Sequence, residues 1–216
     1  MLGLSLSLLI TRVITLVIAF SFHEFSHAAV ANAFGDDTAK RAGRLTLNPF
    51  AHLDIFGTIL LIVAGFGWAK PVPVNPYQLQ RKSPAALMWV SLAGPMSNFL
   101  LAILAAIPLR FNWVAYSGFT SEGFPTLFEF LFYFIIINLS LMLFNLIPIA
   151  PLDGEKIAEY VLPPSWGKAL EKFAAYGPIV LMAVFFIGPR LGVDIFSGII
   201  SPVLSNLLSL MLGYGI

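Results

Sequence analysis

The 216-residue chain contains no cysteine, so it can form no disulfide bond and can offer no thiolate to a metal. Any metal site must therefore use histidine, carboxylate or amide ligands. Charged residues are also scarce, at 11% of the chain, whereas an ordinary soluble domain has about 25%. The formal net charge is only +1 and no basic run is present, which argues against nucleic acid as a partner.

Apolar residues dominate what is present. They make up 58% of the chain, and the mean hydropathy is +0.88, which predicts an integral membrane protein in contact with the lipid bilayer. No long polar stretch interrupts the sequence, so we expect residues 1–216 to form a single membrane-embedded domain. The amino-terminal stretch lacks a basic region followed by a small-residue cleavage site, which predicts a retained helix rather than a signal peptide.

Long apolar runs predict the membrane helices. We expect core helices at about 4–33, 84–108 and 126–148, and accessory helices at about 173–189 and 192–213. A further run at 55–68 has only about 14 residues, fewer than the roughly 17 needed to span a bilayer. The expected fold is an all-α polytopic membrane protein with about five transmembrane helices.

Residues 23–27 read His-Glu-Phe-Ser-His, an H-E-x-x-H motif near the end of the first apolar run. On a helix, His23 and His27 lie one turn apart on the same face and can bind one zinc ion through their ring nitrogens. Glu24 lies beside that face and is a candidate general base for a zinc-bound water. Ionisable groups are costly inside a membrane helix, so their presence indicates a function.

A catalytic zinc site normally has three protein ligands, and the best candidate for the third is Asp153. Pro148 and Pro151 should end the preceding helix and leave Asp153 on irregular backbone. Such backbone is tolerated at membrane depth where it lines a cavity, as a metal ligand would. From this segment alone, Asp153 could equally well cap the following helix, because aspartate is a favoured N-cap residue.

The order of the membrane crossings favours the ligand interpretation. The histidines and Asp153 can share a metal only if the carboxyl ends of the helices at 4–33 and 126–148 lie on the same side of the membrane. The helices at 84–108 and 126–148 supply the two crossings that this requires. The run at 55–68 should therefore not cross, and we predict a re-entrant or surface-lying segment there.

The distribution of lysine and arginine predicts the orientation. These residues are concentrated in 34–84 and 150–172, whereas 109–125 contains only Arg110. By the positive-inside rule the first two regions are cytoplasmic. This places the amino terminus outside a multi-pass cell-membrane protein, and the site toward the cytoplasmic side.

Several tracts together resemble the site-2 proteases, a family of intramembrane zinc metalloproteases. They are the motif at 23–27, Gly-Pro-Met-Ser-Asn at 94–98, and the segment Asn145–Gly154 with its Leu-Asp-Gly. The tracts at 42–49 and 66–75 resemble a compact bacterial and archaeal branch without PDZ or CBS domains. The resemblance implies that His23, His27 and Asp153 bind Zn²⁺, one ion per chain, and that Glu24 is the catalytic base.

Further residues are candidates for contacts with the substrate. Asn145 could hydrogen-bond the substrate backbone or an oxyanion, or it could join two helices. Asn98 could have a direct role in the site, although its four-residue spacing from Gly94 more often indicates close helix packing. Val72 and Val74 lie in a proline-rich tract that could form an extended element near the cytoplasmic face and pair with an unwound substrate, or could be a plain loop.

The leading functional hypothesis is an intramembrane zinc endopeptidase that cuts transmembrane segments of other membrane proteins. One alternative is a membrane metal carrier that uses the same ligands. Transport normally needs polar residues along a path, whereas here they cluster at one depth. The other alternative is a catalytically inactive scaffold that binds membrane helices, which an intact Glu24 and Asp153 disfavour.

Overall fold

The computed structural model describes residues 5–54, 57, 68–120, 123–192 and 196–213. In this part of the chain the α-helices are α1 (Leu6–Ala33), α2 (Thr38–Arg41), α3 (Pro76–Lys82), α4 (Ala86–Arg110), α5 (Leu127–Asn145), α6 (Asp153–Val161), α7 (Pro164–Phe173), α8 (Gly177–Met182) and α9 (Ser201–Leu212). Short 3₁₀ turns occupy Pro49–Ala51, Ala174–Tyr176 and Gly188–Leu191, and π-helical turns occupy Ala183–Ile187 and Phe196–Ile200.

Three of these helices, α1, α4 and α5, are long and apolar enough to cross a membrane. They correspond to the three predicted core helices, and the helical membrane character of the chain is confirmed. Hydroxyl groups cap two of them: the Ser5 side chain accepts the Leu8 N–H at the start of α1, and the Thr126 side chain accepts the Glu129 N–H at the start of α5.

The main apolar core lies between α4, α5 and α9. Helix α4 contributes mostly small side chains, whereas α5 contributes large ones, and this difference lets the two helices approach closely. The buried members are Ala102, Ala105, Ala106, Leu109, Phe128, Phe134, Ile135, Leu139, Met142, Leu208 and Leu212. Helix α1 packs against both α4 and α5, so the histidine motif faces a bundle interior.

The two accessory helices predicted at 173–189 and 192–213 are not confirmed as membrane spans. Residues 174–191 form α8 and short turns of 3₁₀ and π helix, and α9 is too short to count as a span. Proline is one physical reason for the interruption, because Pro178 and Pro202 lie in the first turns of α8 and α9, where a missing N–H is tolerated and a new helix readily begins. The total of five transmembrane helices stays a prediction.

The predicted re-entrant segment at 55–68 lies almost entirely outside the described residues, but both of its flanks are described. Leu53 and Ala69 pair in an antiparallel β-bridge, and the Lys70 N–H donates to the His52 carbonyl at 2.8 Å. The two ends of the segment at 55–68 therefore lie next to each other in the fold. No longer strand forms in the described ranges, so the small β element is not confirmed.

Candidate metal centre

Three side chains from two distant parts of the chain converge at the carboxyl-terminal half of α1. The Nε2 atoms of His23 and His27 lie 3.1 Å and 3.3 Å from Oδ2 of Asp153. The potential ligand atoms of the three residues all lie within 4.8 Å of one another. This is the arrangement that a single metal ion requires, and it joins residues 130 positions apart in sequence.

Each histidine is oriented by a hydrogen bond to its other ring nitrogen. His23 Nδ1 lies 2.7 Å from Asn98 Oδ1, and His27 Nδ1 lies 2.7 Å from the Val90 carbonyl. Both acceptors belong to α4, and both require the proton to be on Nδ1. The lone pair of each Nε2 is therefore left to face Asp153, which is the tautomer that a metal ligand needs.

Asn98 is fully buried and uses its whole amide in these contacts. Its Nδ2 donates to Asn138 Oδ1 at 3.0 Å and approaches the Ala19 carbonyl at 3.4 Å, while its Oδ1 accepts from His23. Asn138 in turn donates to the Phe134 carbonyl. The amide thus joins α1, α4 and α5 behind His23. This position favours orientation of the histidine over the contact with substrate that the sequence suggested.

Gly94 allows α4 to approach the two imidazole rings. A Cβ atom at this position would lie 2.4 Å from His27 Nε2 and 2.6 Å from His23 Nε2, well inside van der Waals contact. The rings cannot retreat without losing their bonds to Asn98 and Val90. Position 94 therefore requires glycine for more than general helix packing, because any side chain there would overlap the imidazole rings of the metal ligands.

Asp153 reaches the histidines because the chain turns sharply after α5. It is the first residue of α6, the N-cap residue is Leu152, and no side-chain cap bond forms, so Asp153 does not act as the cap that the sequence allowed. Gly154 packs against the carbonyls of Leu146 and Ile147, where a Cβ would lie 2.4 Å from each oxygen. This close approach fixes the start of α6 against the end of α5.

The donor set fits zinc. Two neutral imidazole nitrogens and one carboxylate form the three-ligand set of catalytic zinc sites. The Oδ2 atom of Asp153 is buried and has no hydrogen-bond donor among the described residues, because the two Nε2 atoms that face it carry lone pairs. A buried carboxylate oxygen that faces two lone pairs needs a cation between them, which a bound metal ion would supply.

Glu24 lies beside the ligands and is 8% exposed. Its Oε2 accepts the backbone N–H of Val72 at 2.9 Å. Val72 belongs to the proline-rich segment, residues 70–75, which passes over the carboxyl-terminal half of α1. A main-chain donor thus holds one oxygen of the candidate base.

Both ends of the proline-rich segment are fixed to the region that follows α1. At one end, the Arg44 guanidinium donates to the Lys70 carbonyl. At the other, the Asn75 N–H donates to Oδ2 of the buried Asp36 at 2.6 Å. Burial acts to raise the pKa of Asp36, but the donors from Asn75 and Thr38 outweigh it and lower that pKa below its usual range. The segment is therefore held in place on both sides of Val72.

Asn145 and Val74, the remaining candidates from the sequence, contact other residues than the metal ligands in the described part of the chain. Asn145 is half-buried and donates to the Leu141 carbonyl of its own helix. Val74 packs in a second apolar cluster with Ala31, Leu79 and Val90. Their predicted contacts with substrate stay predictions.

Comparison with known proteins identifies the family of the chain. The family model described as Peptidase family M50 matches residues 11–122 and 114–188. A Bacillus subtilis protein named "Putative zinc metalloprotease YwhC" is 48% identical over 181 residues, covering 83% of this chain and 82% of that protein. No solved structure matches the chain.

Two more distant relatives carry similar names. "Putative zinc metalloprotease Rip2" of Mycolicibacterium smegmatis is 32% identical over 183 residues, covering 81% of this chain and 66% of that protein. "Putative zinc metalloprotease MJ0611" of Methanocaldococcus jannaschii is 30% identical over 163 residues, covering 72% of this chain and 73% of that protein. The chain belongs to peptidase family M50, the site-2 proteases, and is by that membership a zinc metalloprotease.

Proposed function

We propose that the chain is an intramembrane zinc endopeptidase that hydrolyses peptide bonds in or near transmembrane segments of other membrane proteins. The observation that carries this proposal is the position of the ligand cluster within α1, a helix able to span a bilayer. His23 lies ten residues, or about 15 Å, from the carboxyl end of that helix. The site is therefore built at membrane depth rather than on an external domain.

In this proposal His23, His27 and Asp153 bind one zinc ion per chain. Bound zinc supplies an acidified water and polarises the scissile carbonyl. Asn98 and the Val90 carbonyl hold the imidazoles in the ligating tautomer. The close approach at Gly94 keeps α4 against both rings.

Glu24 is the proposed general base. It takes a proton from the attacking water and passes it to the leaving amine, so one group serves both halves of the hydrolysis. The Val72 N–H holds Oε2, which leaves Oε1 to accept the proton of the water. Asn145 is the proposed donor to the substrate backbone, and Val72 and Val74 border the path of an extended substrate.

The described flanks of residues 55–68 support the proposed topology. Leu53 pairs with Ala69, so the regions before and after that segment lie together on one side of the membrane. The two crossings between His27 and Asp153 are then α4 and α5. We propose a single multi-pass domain over residues 1–216 in the cell membrane. The amino terminus lies outside and the metal centre toward the cytoplasm.

The proposal is tested with purified protein in proteoliposomes that also contain a single-span reporter substrate. We expect cleavage within or beside the span, loss of cleavage on chelation and recovery on addition of zinc. Asp153→Ala should bind no zinc and should not recover, because two histidines alone leave the site short of a ligand. Asp37→Ala, which removes an exposed carboxylate after α1, is the control that should keep one zinc and full activity. Undiminished cleavage by Asp153→Ala would contradict the ligand set.

The Val72 amide gives a separate prediction. Val72→Pro removes the N–H that holds Glu24, between two prolines that already restrict the chain, and should lower kcat by about tenfold or more, the cost of a lost hydrogen bond to a charged group. Zinc content and KM should change little. Val72→Ala keeps the N–H and should remain close to the parent. Equal kcat values for the two variants would show that the hydrogen bond does not position the base.

A further inference from the structure

Helix α7 leaves an aromatic surface on the outside of the protein. Trp166 and Phe173 are 66% and 63% exposed, and their seven-residue spacing places them on one face of the helix. Ala169 is exposed between them, and Tyr176, just past the end of α7, is 60% exposed. We call these four residues the aromatic stripe. A surface of this kind marks a site of contact with another molecule or with lipid.

A second exposed face of α7 is basic. Lys168 and Lys172 are exposed and lie about 100–160° around the helix from the two large aromatic side chains. The remaining face packs on α6, where Gly167 is buried and a Cβ atom would lie 2.9 Å from the Glu159 carbonyl oxygen. Glu171 lies between the basic and the packed faces. Helix α7 therefore has one face for the protein and two for its surroundings, one apolar and one cationic.

The metal centre places α7 close to the membrane. Helix α6 begins with Asp153, which lies against His23 and His27 within α1, a helix able to span a bilayer. Nine residues of α6 extend only about 14 Å, whereas a bilayer with its headgroups extends about 20 Å from its centre. Only Leu162 and Pro163 separate α6 from α7. Helix α7 therefore begins near the membrane surface, on the side where α1 and α5 end.

We propose that α7 is an interfacial helix, which lies along the membrane surface with the aromatic stripe in the boundary between headgroups and acyl chains. An amphipathic helix of this kind places its apolar face about 5–10 Å into that boundary. Tryptophan and tyrosine are enriched at this level because their rings have both apolar and polar parts. The stems of Lys168 and Lys172 extend from the same depth and bring their ammonium groups to the lipid phosphates.

A lipid surface matches both exposed faces of α7 at once. The acyl boundary covers the aromatic stripe, and anionic headgroups attract the two lysines. The exposed apolar surface also continues past the stripe into α8, where Ile179 and Met182 are exposed. It does not end at α7, as it would at a docking site for a single protein segment.

This placement connects the membrane surface to the metal centre. Helix α7 packs on α6, and the first residue of α6 is Asp153. Contact between the aromatic stripe and lipid therefore helps to fix the depth of the third ligand. The placement does not depend on the proposed proteolysis, because the position of a helix in a bilayer can be measured in protein that has no activity.

The absence of cysteine allows a nitroxide spin label to be attached at one position of the intact chain at a time. Trp166→Cys and Phe173→Cys report on the aromatic stripe, and Lys168→Cys and Lys172→Cys report on the basic face. In vesicles of phosphatidylethanolamine and phosphatidylglycerol, collisions of each label with oxygen, which concentrates in lipid, are compared with collisions with a water-soluble nickel chelate. We expect an oxygen-to-nickel ratio at least about threefold higher on the stripe, because only the apolar face of an interfacial helix enters the acyl boundary.

Two further positions calibrate the measurement. Leu104→Cys, at a side chain 63% exposed within the span α4, gives the value for contact with lipid. Lys40→Cys, exposed in α2, gives the value for water. Ala169→Cys is the smallest change on the stripe, and it serves if a variant that loses an aromatic side chain does not fold.

Two results would overturn the proposal. Equal ratios on both faces of α7, at the level of Lys40→Cys, would place the helix in water. Protection of the stripe from oxygen and from the nickel chelate alike would mean that protein, such as a second copy of the chain, covers the aromatic side chains in place of lipid.

Discussion

Replacing Glu24 by glutamine is expected to lower the cleavage rate by at least about 100-fold, the usual contribution of general base catalysis, while the protein keeps its fold and its zinc. Glutamine has nearly the same shape and retains a carbonyl oxygen that can accept the Val72 N–H. It cannot take a proton from water. The loss should therefore appear in kcat, with zinc content measured by elemental analysis unchanged.

Glu171→Gln is the matched control for this prediction. It makes the same chemical change on the exposed surface of α7 and should leave the rate unchanged. If Glu24→Gln cleaves the reporter at the parent rate with its zinc in place, Glu24 is not the base, and another group must accept the proton.

The second large effect is expected at a residue that carries no functional group. Gly94→Ala should reduce zinc affinity by at least about 10–100-fold, the range seen when the support of a metal ligand is lost. The added methyl group would lie 2.4 Å from His27 Nε2, and the ring cannot move away while its Nδ1 bonds to Val90. Cleavage should fall with the zinc content, and added zinc should restore part of it.

Gly198→Ala separates this effect from a general effect of glycine replacement. A Cβ at Gly198 meets no atom within 4 Å, so the variant should keep zinc and activity. Alanine also favours helix over glycine by about 1 kcal/mol, so a loss at position 94 cannot come from helix propensity. Normal zinc binding by Gly94→Ala would show that α4 can move away from α1, and would remove the proposed steric role.

The zinc motif could be predicted because its chemistry is local. A four-residue spacing on a helix places His23 and His27 on one face whatever surrounds them. Asp153 could be predicted only from the number of membrane crossings, because a spacing of 126 residues from His27 has no meaning in local structure. The number of crossings depends on whether residues 55–68 span the membrane, and Leu53 and Ala69, on either side of that segment, do pair in the structure.

Other features of the site have no signal in the sequence. The spacing of Gly94 and Asn98 predicted close helix packing, but not that the facing groups would be the two imidazoles. Asn138 gave no indication that it would hold Asn98, because a single asparagine in an apolar helix has many potential partners. The contact of Val72 with Glu24 uses a main-chain N–H, which every residue except proline carries, so residue type could not identify it.

The proline-rich segment has one further chemical consequence. Between Pro71 and Pro73 the only main-chain N–H belongs to Val72, and Glu24 already accepts it. An extended peptide that aligned with these three residues would find carbonyl oxygens and no free donor. At this point the segment can therefore accept hydrogen bonds from an incoming chain but cannot donate any to it. A peptide with prolines opposite these carbonyls would have no N–H to donate and could not form these hydrogen bonds.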